Sequence, residues 1–103
     1  MTYYDEIIDL KKHFEKILKE PHPTEDTLEN MRTLCSEMWA YSTAISRCLD
    51  YQATNPLDVL DDLSSELWME VVFSKHNPII KEHFEDSAKF VESMRDYCAK
   101  NHY

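Results

Sequence analysis

Apolar positions along this chain recur at the period of a helix. From Tyr3 to Lys19, the residues Tyr3, Ile7, Leu10, Phe14 and Ile17 step by four and three, with Tyr4, Ile8 and Leu18 widening the stripe. That spacing predicts a helix buried on one side. Leu28, Met31, Cys35, Met38, Ile45 and Leu49 form a second stripe, with Leu34, Tyr41 and Cys48 beside it. Leu57, Leu60, Leu63, Leu67, Trp68 and Val71 share a third face. Ile80, Phe84, Ser87, Val91, Met94 and Cys98 alternate steps of four and three, the mark of a bundle seam. Ile79, His83, Phe90 and Tyr97 run beside that seam.

Proline punctuates the stripes. Glu20-Pro21-His22-Pro23 is a stiff break, because a proline pushes the residue before it out of the helical region. Thr24 then suits an N-cap, with Glu25 and Asp26 at the positive end of the helix dipole. Asn55-Pro56 and Asn77-Pro78 are two helix starts of one type: asparagine caps, and proline takes the first helical position, where an N–H is not needed. The spacing predicts helices over 3–19, 25–51, 56–75 and 78–100. Short connectors favour antiparallel neighbours, so the expected fold is an all-α, antiparallel four-helix bundle forming a single domain over 1–103. Three helices per monomer, with one shared across a dimer, is the alternative.

Glycine is absent, which removes the residue that tight β-hairpins lean on and any Gly-rich phosphate loop. No apolar run approaches the roughly 20 residues that cross a bilayer, and no helix pairs a basic face with an apolar one, so no membrane role is expected. Met1-Thr2-Tyr3-Tyr4-Asp5-Glu6 is acidic where a secretory signal would be basic. Cys35, Cys48 and Cys98 lack CxxC spacing and fall at apolar helical positions. They read as reduced core thiols of a cytoplasmic protein.

The net charge of −9 is unevenly spread. Residues 1–19 carry four acids and four bases, and residues 75–103 carry five of each. Residues 20–74 carry eleven acids against Arg32 and Arg47. Asp58, Asp62, Glu66 and Glu70 are spaced by four and stand in one row, where like charges cost about 0.2–0.5 kcal/mol per pair. Met69 and Phe73 project beside that row, opposite the leucine face. From Met38 to Ser46 no residue is charged, so this stretch is either central in the bundle or buried against another copy.

The acidic row has two plain explanations: a solvated face, or one neutralised by lysines of the outer helices. The functional alternative is a docking surface for a protein partner with a basic surface. Apolar anchors Trp39, Tyr41, Met69 and Phe73 would be flanked by Asp58, Asp62, Glu66 and Glu70 as charged guides. A homodimer or homo-oligomer is also expected. One form of the docking alternative is nucleic-acid mimicry, since carboxylates four apart rise about 6 Å per step, close to a phosphate spacing.

No catalytic, cofactor or metal motif is apparent: the five histidines form no HExxH and no zinc or di-iron spacing. His83 lies between two apolar stripes, as a half-buried structural histidine does. No basic patch is concentrated enough to bind nucleic acid directly. Arg95-Asp96 followed by His102-Tyr103 resembles the arginine-to-histidine ribonuclease motif of HEPN domains, which are helical bundles. That resemblance implies an RNA-cleaving role for Arg95 and His102. The preferred expectation is a small, acidic, non-enzymatic interaction module, such as a phage or mobile-element inhibitor of a host nucleic-acid-binding or defence complex.

Overall fold

A computed structural model describes residues 2–20, 28–51 and 55–101. Four helices follow in order: α1 Tyr3–Lys19, α2 Leu28–Tyr51, α3 Pro56–Phe73 and α4 Pro78–Lys100. They pack as an all-α four-helix bundle. The expected Thr24 cap, with Glu25 and Asp26, lies outside the described residues.

Local chemistry sets the helix starts. Thr2 Oγ1 accepts the Asp5 N–H at 3.2 Å, and the Asp5 carboxylate accepts the Thr2 N–H at 3.3 Å, closing a capping box. Asn55 Oδ1 accepts the Leu57 N–H at 2.8 Å and Asn77 Oδ1 the Ile80 N–H at 3.3 Å, each with proline next. Helix α3 stops two residues short of the expected Lys75. Asn77 must be extended (φ −128°, ψ 99°) to cap α4, so residues 74–76 are spent reversing the chain.

Consecutive helices run antiparallel, so α2 and α4 are parallel. The α3–α4 hairpin has the most extensive packing, and the α2–α4 diagonal comes next. Short side chains permit that diagonal. Ser36, Ala40 and Ala44, one turn apart on α2, are buried, as are Ser87 and Ala88 on α4. Ser87 Oγ donates to the Ser36 carbonyl at 3.2 Å, which fixes the register of the two helices.

This packing corrects the expected core face of α2. Of the stripe Leu28, Met31, Cys35, Met38, Ile45 and Leu49, only Ile45 is buried. The helix turns its smaller residues inward so that its backbone can approach α4, which leaves the larger ones at the surface.

Tyrosines moor α1. The Tyr3 hydroxyl donates to the Cys48 carbonyl, Tyr41 to Glu15 Oε1 at 2.7 Å, and Tyr97 to Asp9 Oδ2 at 2.7 Å, with His13 stacked on Tyr97 at 4.1 Å. Partial burial, and then the acceptor beside each hydroxyl, raises these phenols: Tyr3 and Tyr97 to about 12, and Tyr41 also upward. Glu15 is thus level with Tyr41. Beyond that level α1 has four residues left, whereas α2 has thirteen. At 1.5 Å per residue, α2 continues roughly 14 Å past the end of α1. Among the described residues, one end of the bundle is therefore open.

The cysteines divide. Cys48 and Cys98 are fully buried, and burial pushes their thiols up to about 11 and about 12. Cys35 is exposed, which corrects the expectation of three core thiols. In the monomer, a thiol-alkylating reagent near neutral pH is expected to modify one cysteine per chain quickly and the other two only on unfolding. Mass spectrometry of a labelling time course, with Cys35→Ser removing the fast phase, checks this.

Candidate protein-docking site

The leucine face of α3 supplies the anchor for the site. Leu60, Leu63 and Leu67 are buried against the core, which fixes the rotation of the helix. The opposite face is then committed to solvent. Asp58, Asp62, Glu66 and Glu70 are all exposed, and Met69 and Phe73 are 56 % and 63 % exposed.

A groove of about 430 Å³ opens between α2 and α3. Met69 and Phe73 form one wall with Glu66 and Glu70, while Trp39, Thr43 and Arg47 form the other. Leu63, Leu67 and Phe84 complete the lining. Trp39 is held in place from behind, with its ring 5.0 Å from His83 and 6.2 Å from Phe84. His83 Nδ1 is 2.8 Å from Ser36 Oγ, so this half-buried histidine has a structural partner.

Of the eight residues singled out from sequence, the fold brings Trp39, Glu66, Met69, Glu70 and Phe73 into this groove. Asp62 and Asp58 continue the acidic row along α3, one and two turns further. Tyr41 is not at the groove. It is half-buried and turned to α1, where Glu15 holds its hydroxyl.

Electrostatics single out part of the row. Glu66 forms an ion pair with Arg47 across the groove. Glu66 is exposed and Arg47 only half-buried, so the pair is worth at most about 1 kcal/mol. Asp58, Asp62 and Glu70 have no ion pair among the described residues. The outer helices do not neutralise the row. Lys81 pairs with Glu85 on its own helix, and Arg95 reaches Asp61, which lies off the row, at 3.3 Å. Trp68, expected on the leucine face, sits at its edge with its indole N–H donating to Glu92 of α4.

Beyond Leu63 and Leu67 of the buried leucine face, Arg47, Thr43 and Phe84 are the lining residues not chosen from sequence. Arg47 carried a usable signal, being one of only two bases between residues 20 and 74. Phe84 read as a core residue of the α4 seam. It reaches the groove because the bundle is open at this end.

Arg95 is engaged by Asp96 and Asp61, each at 3.3 Å, and the Asp96 contact above all raises its guanidinium further. His102, its partner in the ribonuclease resemblance, lies outside the described residues. Among the described residues no group of three or more His, Cys, Asp or Glu side chains is placed to hold a metal ion. No described helix is long and apolar enough to cross a membrane. No protein-family model, curated protein or solved structure matches the chain.

Proposed function

We propose that the chain is a non-enzymatic interaction module that docks a protein partner in the groove between α2 and α3. The observation that carries this is the coincidence of two independent features. Exposed Met69 and Phe73 flank an apolar cleft, and the carboxylates of Glu70, Asp62 and Asp58, without an ion pair among the described residues, run along the same helix. Apolar anchors seated in a cleft supply most of an interface's affinity, and rim charges supply steering and orientation. The partner segment that fits carries large apolar side chains for the cleft and lysines or arginines spaced to meet the row.

Arg47 favours protein docking over nucleic-acid mimicry. Its ion pair interrupts the row of negative charge at Glu66, where a phosphate-like array would be continuous. An inhibitory role follows if the partner's basic surface is itself a nucleic-acid site. The chain would then cover that site from its acidic face.

The test uses three baits in extracts of the source cell: the native chain, Asp62→Lys/Glu66→Lys, and Met69→Ala/Phe73→Ala. A protein with a basic surface, retained by the native chain and lost by both variants, is the expected result. Retention of the same proteins by all three baits contradicts docking at this groove.

A further inference from the structure

We propose that the open end of the bundle joins two copies of this chain, groove against groove about a two-fold axis. This site adjoins the α2–α3 groove, with Phe84 at the border of both, and does not depend on the partner proposed for that groove. It lies where α2 and α4 run on past the end of α1. There the two parallel helices leave an apolar groove of about 560 Å³ between their N-terminal halves. Leu28, Met31, Ile79 and Ile80 line it and are between 44 % and 66 % exposed.

Three observations point to a second copy as the occupant. The first is that the sequence writes these positions for burial. Leu28, Met31, Cys35 and Met38 continue the apolar stripe of α2, and Ile80 opens the α4 seam that Ser87, Val91 and Met94 continue into the core. The monomer buries the lower part of the seam and leaves its upper part bare, because α1 ends too soon. Among the described residues no helix covers that side, and a second copy supplies helices with the matching stripe.

The second observation is charge. Arg32 stands on the α2 side of the groove and Glu82 on the α4 side. Both are exposed and neither has an ion pair among the described residues. In an isologous interface each contact occurs twice, so Arg32 of one copy meets Glu82 of the other on both sides of the axis. Asp86, also on the α4 side, accepts from Thr33 at 3.3 Å and is already engaged. The patch is therefore self-complementary, despite the net charge of −9 on each chain.

The third is area. The exposed parts of Leu28, Met31, Ile79 and Ile80 add up to rather more than two whole apolar side chains. At roughly 150–200 Å² for a large side chain, that is about 400 Å² before the polar rim is counted. A specific interface buries about 800 Å² per partner, rim included. The face is thus of the size that a small, specific dimer requires.

Light scattering and sedimentation equilibrium over a concentration series test this on the full chain. The native protein is expected to be a dimer. Met31→Glu and Ile80→Glu are each expected to weaken it at least about tenfold, the cost of a substantial interface anchor. Both sites are exposed, and a circular-dichroism melt verifies that each variant folds. Arg32→Glu alone is expected to weaken the dimer, and Arg32→Glu/Glu82→Arg to restore it. That rescue comes only from a reciprocal contact and does not rely on the apolar-to-acid variants. Asp62→Lys/Glu66→Lys is expected to stay dimeric, which separates this interface from partner docking. A native chain that is monomeric throughout the series, a dimer indifferent to Met31→Glu and Ile80→Glu, or a charge swap that fails to restore association would each overturn the proposal.

Discussion

Replacing Leu60 by alanine is expected to destabilise the bundle by about 2–5 kcal/mol. Leu60 is fully buried on α3, whose contact with α4 is the most extensive in the molecule. Truncation removes three heavy atoms from a site walled by two tightly packed helices, so the cavity cannot readily collapse. A domain of about 100 residues loses roughly 4–8 °C of melting temperature per kcal/mol. A fall of at least about 8 °C is therefore expected, followed by far-ultraviolet circular dichroism during heating. Total stability of such a domain is only about 5–15 kcal/mol, so this one change consumes a large share of it. A melting temperature within a degree of the native value would mean that α3 is not held as described.

The second large effect is on binding, with the opposite signature. Phe73 and Met69 lie on the same helix as Leu60 but on its solvent side. Truncating either to alanine is expected to change stability by no more than about 0.5 kcal/mol. Against the docked partner, each truncation is expected to cost about 2 kcal/mol or more, roughly a thirtyfold loss of affinity. Calorimetric titration measures that loss, and a thermal melt of the same samples measures stability. Two side chains one turn apart would thus be silent for folding and dominant for recognition. Equal losses in both measurements would place Met69 and Phe73 in the core instead.

The helices were legible because their boundaries are written locally. Asn55-Pro56 and Asn77-Pro78 each fit only one role, and both cap as their chemistry requires. The face of α3 was legible for a similar reason. Its leucines outweigh everything opposite them, so Met69, Phe73 and the acidic row had to point outward. The face of α2 was not. Its large apolar residues suggested one stripe, but contact with α4 selected Ser36, Ala40 and Ala44, whose value is their small size. Periodicity registers hydrophobicity and is nearly blind to how closely two backbones can approach. That one rotation explains the exposure of Cys35 and Met31 and, in part, the turn of Tyr41 toward Glu15.

Contacts distant in sequence were also hidden. Arg47 and Glu66 sit on different helices nineteen residues apart, and only the α2–α3 packing brings them together. The open end depends on relative helix lengths once Tyr41 and Glu15 fix the register. Neither number means anything until the helices are docked. The acidic bias of residues 20–74 was plain from the sequence. Which carboxylates remain unpaired was a property of the fold.

The most direct measurement is the affinity of the native chain and of Asp62→Lys/Glu66→Lys for the captured partner, at low and at high salt. Docking through the anionic flank of α3 predicts at least about a tenfold loss on charge reversal, and a native affinity that falls as salt screens the contact. Affinity that survives both the reversal and the salt would leave the carboxylates as solvation alone and contradict the docking surface.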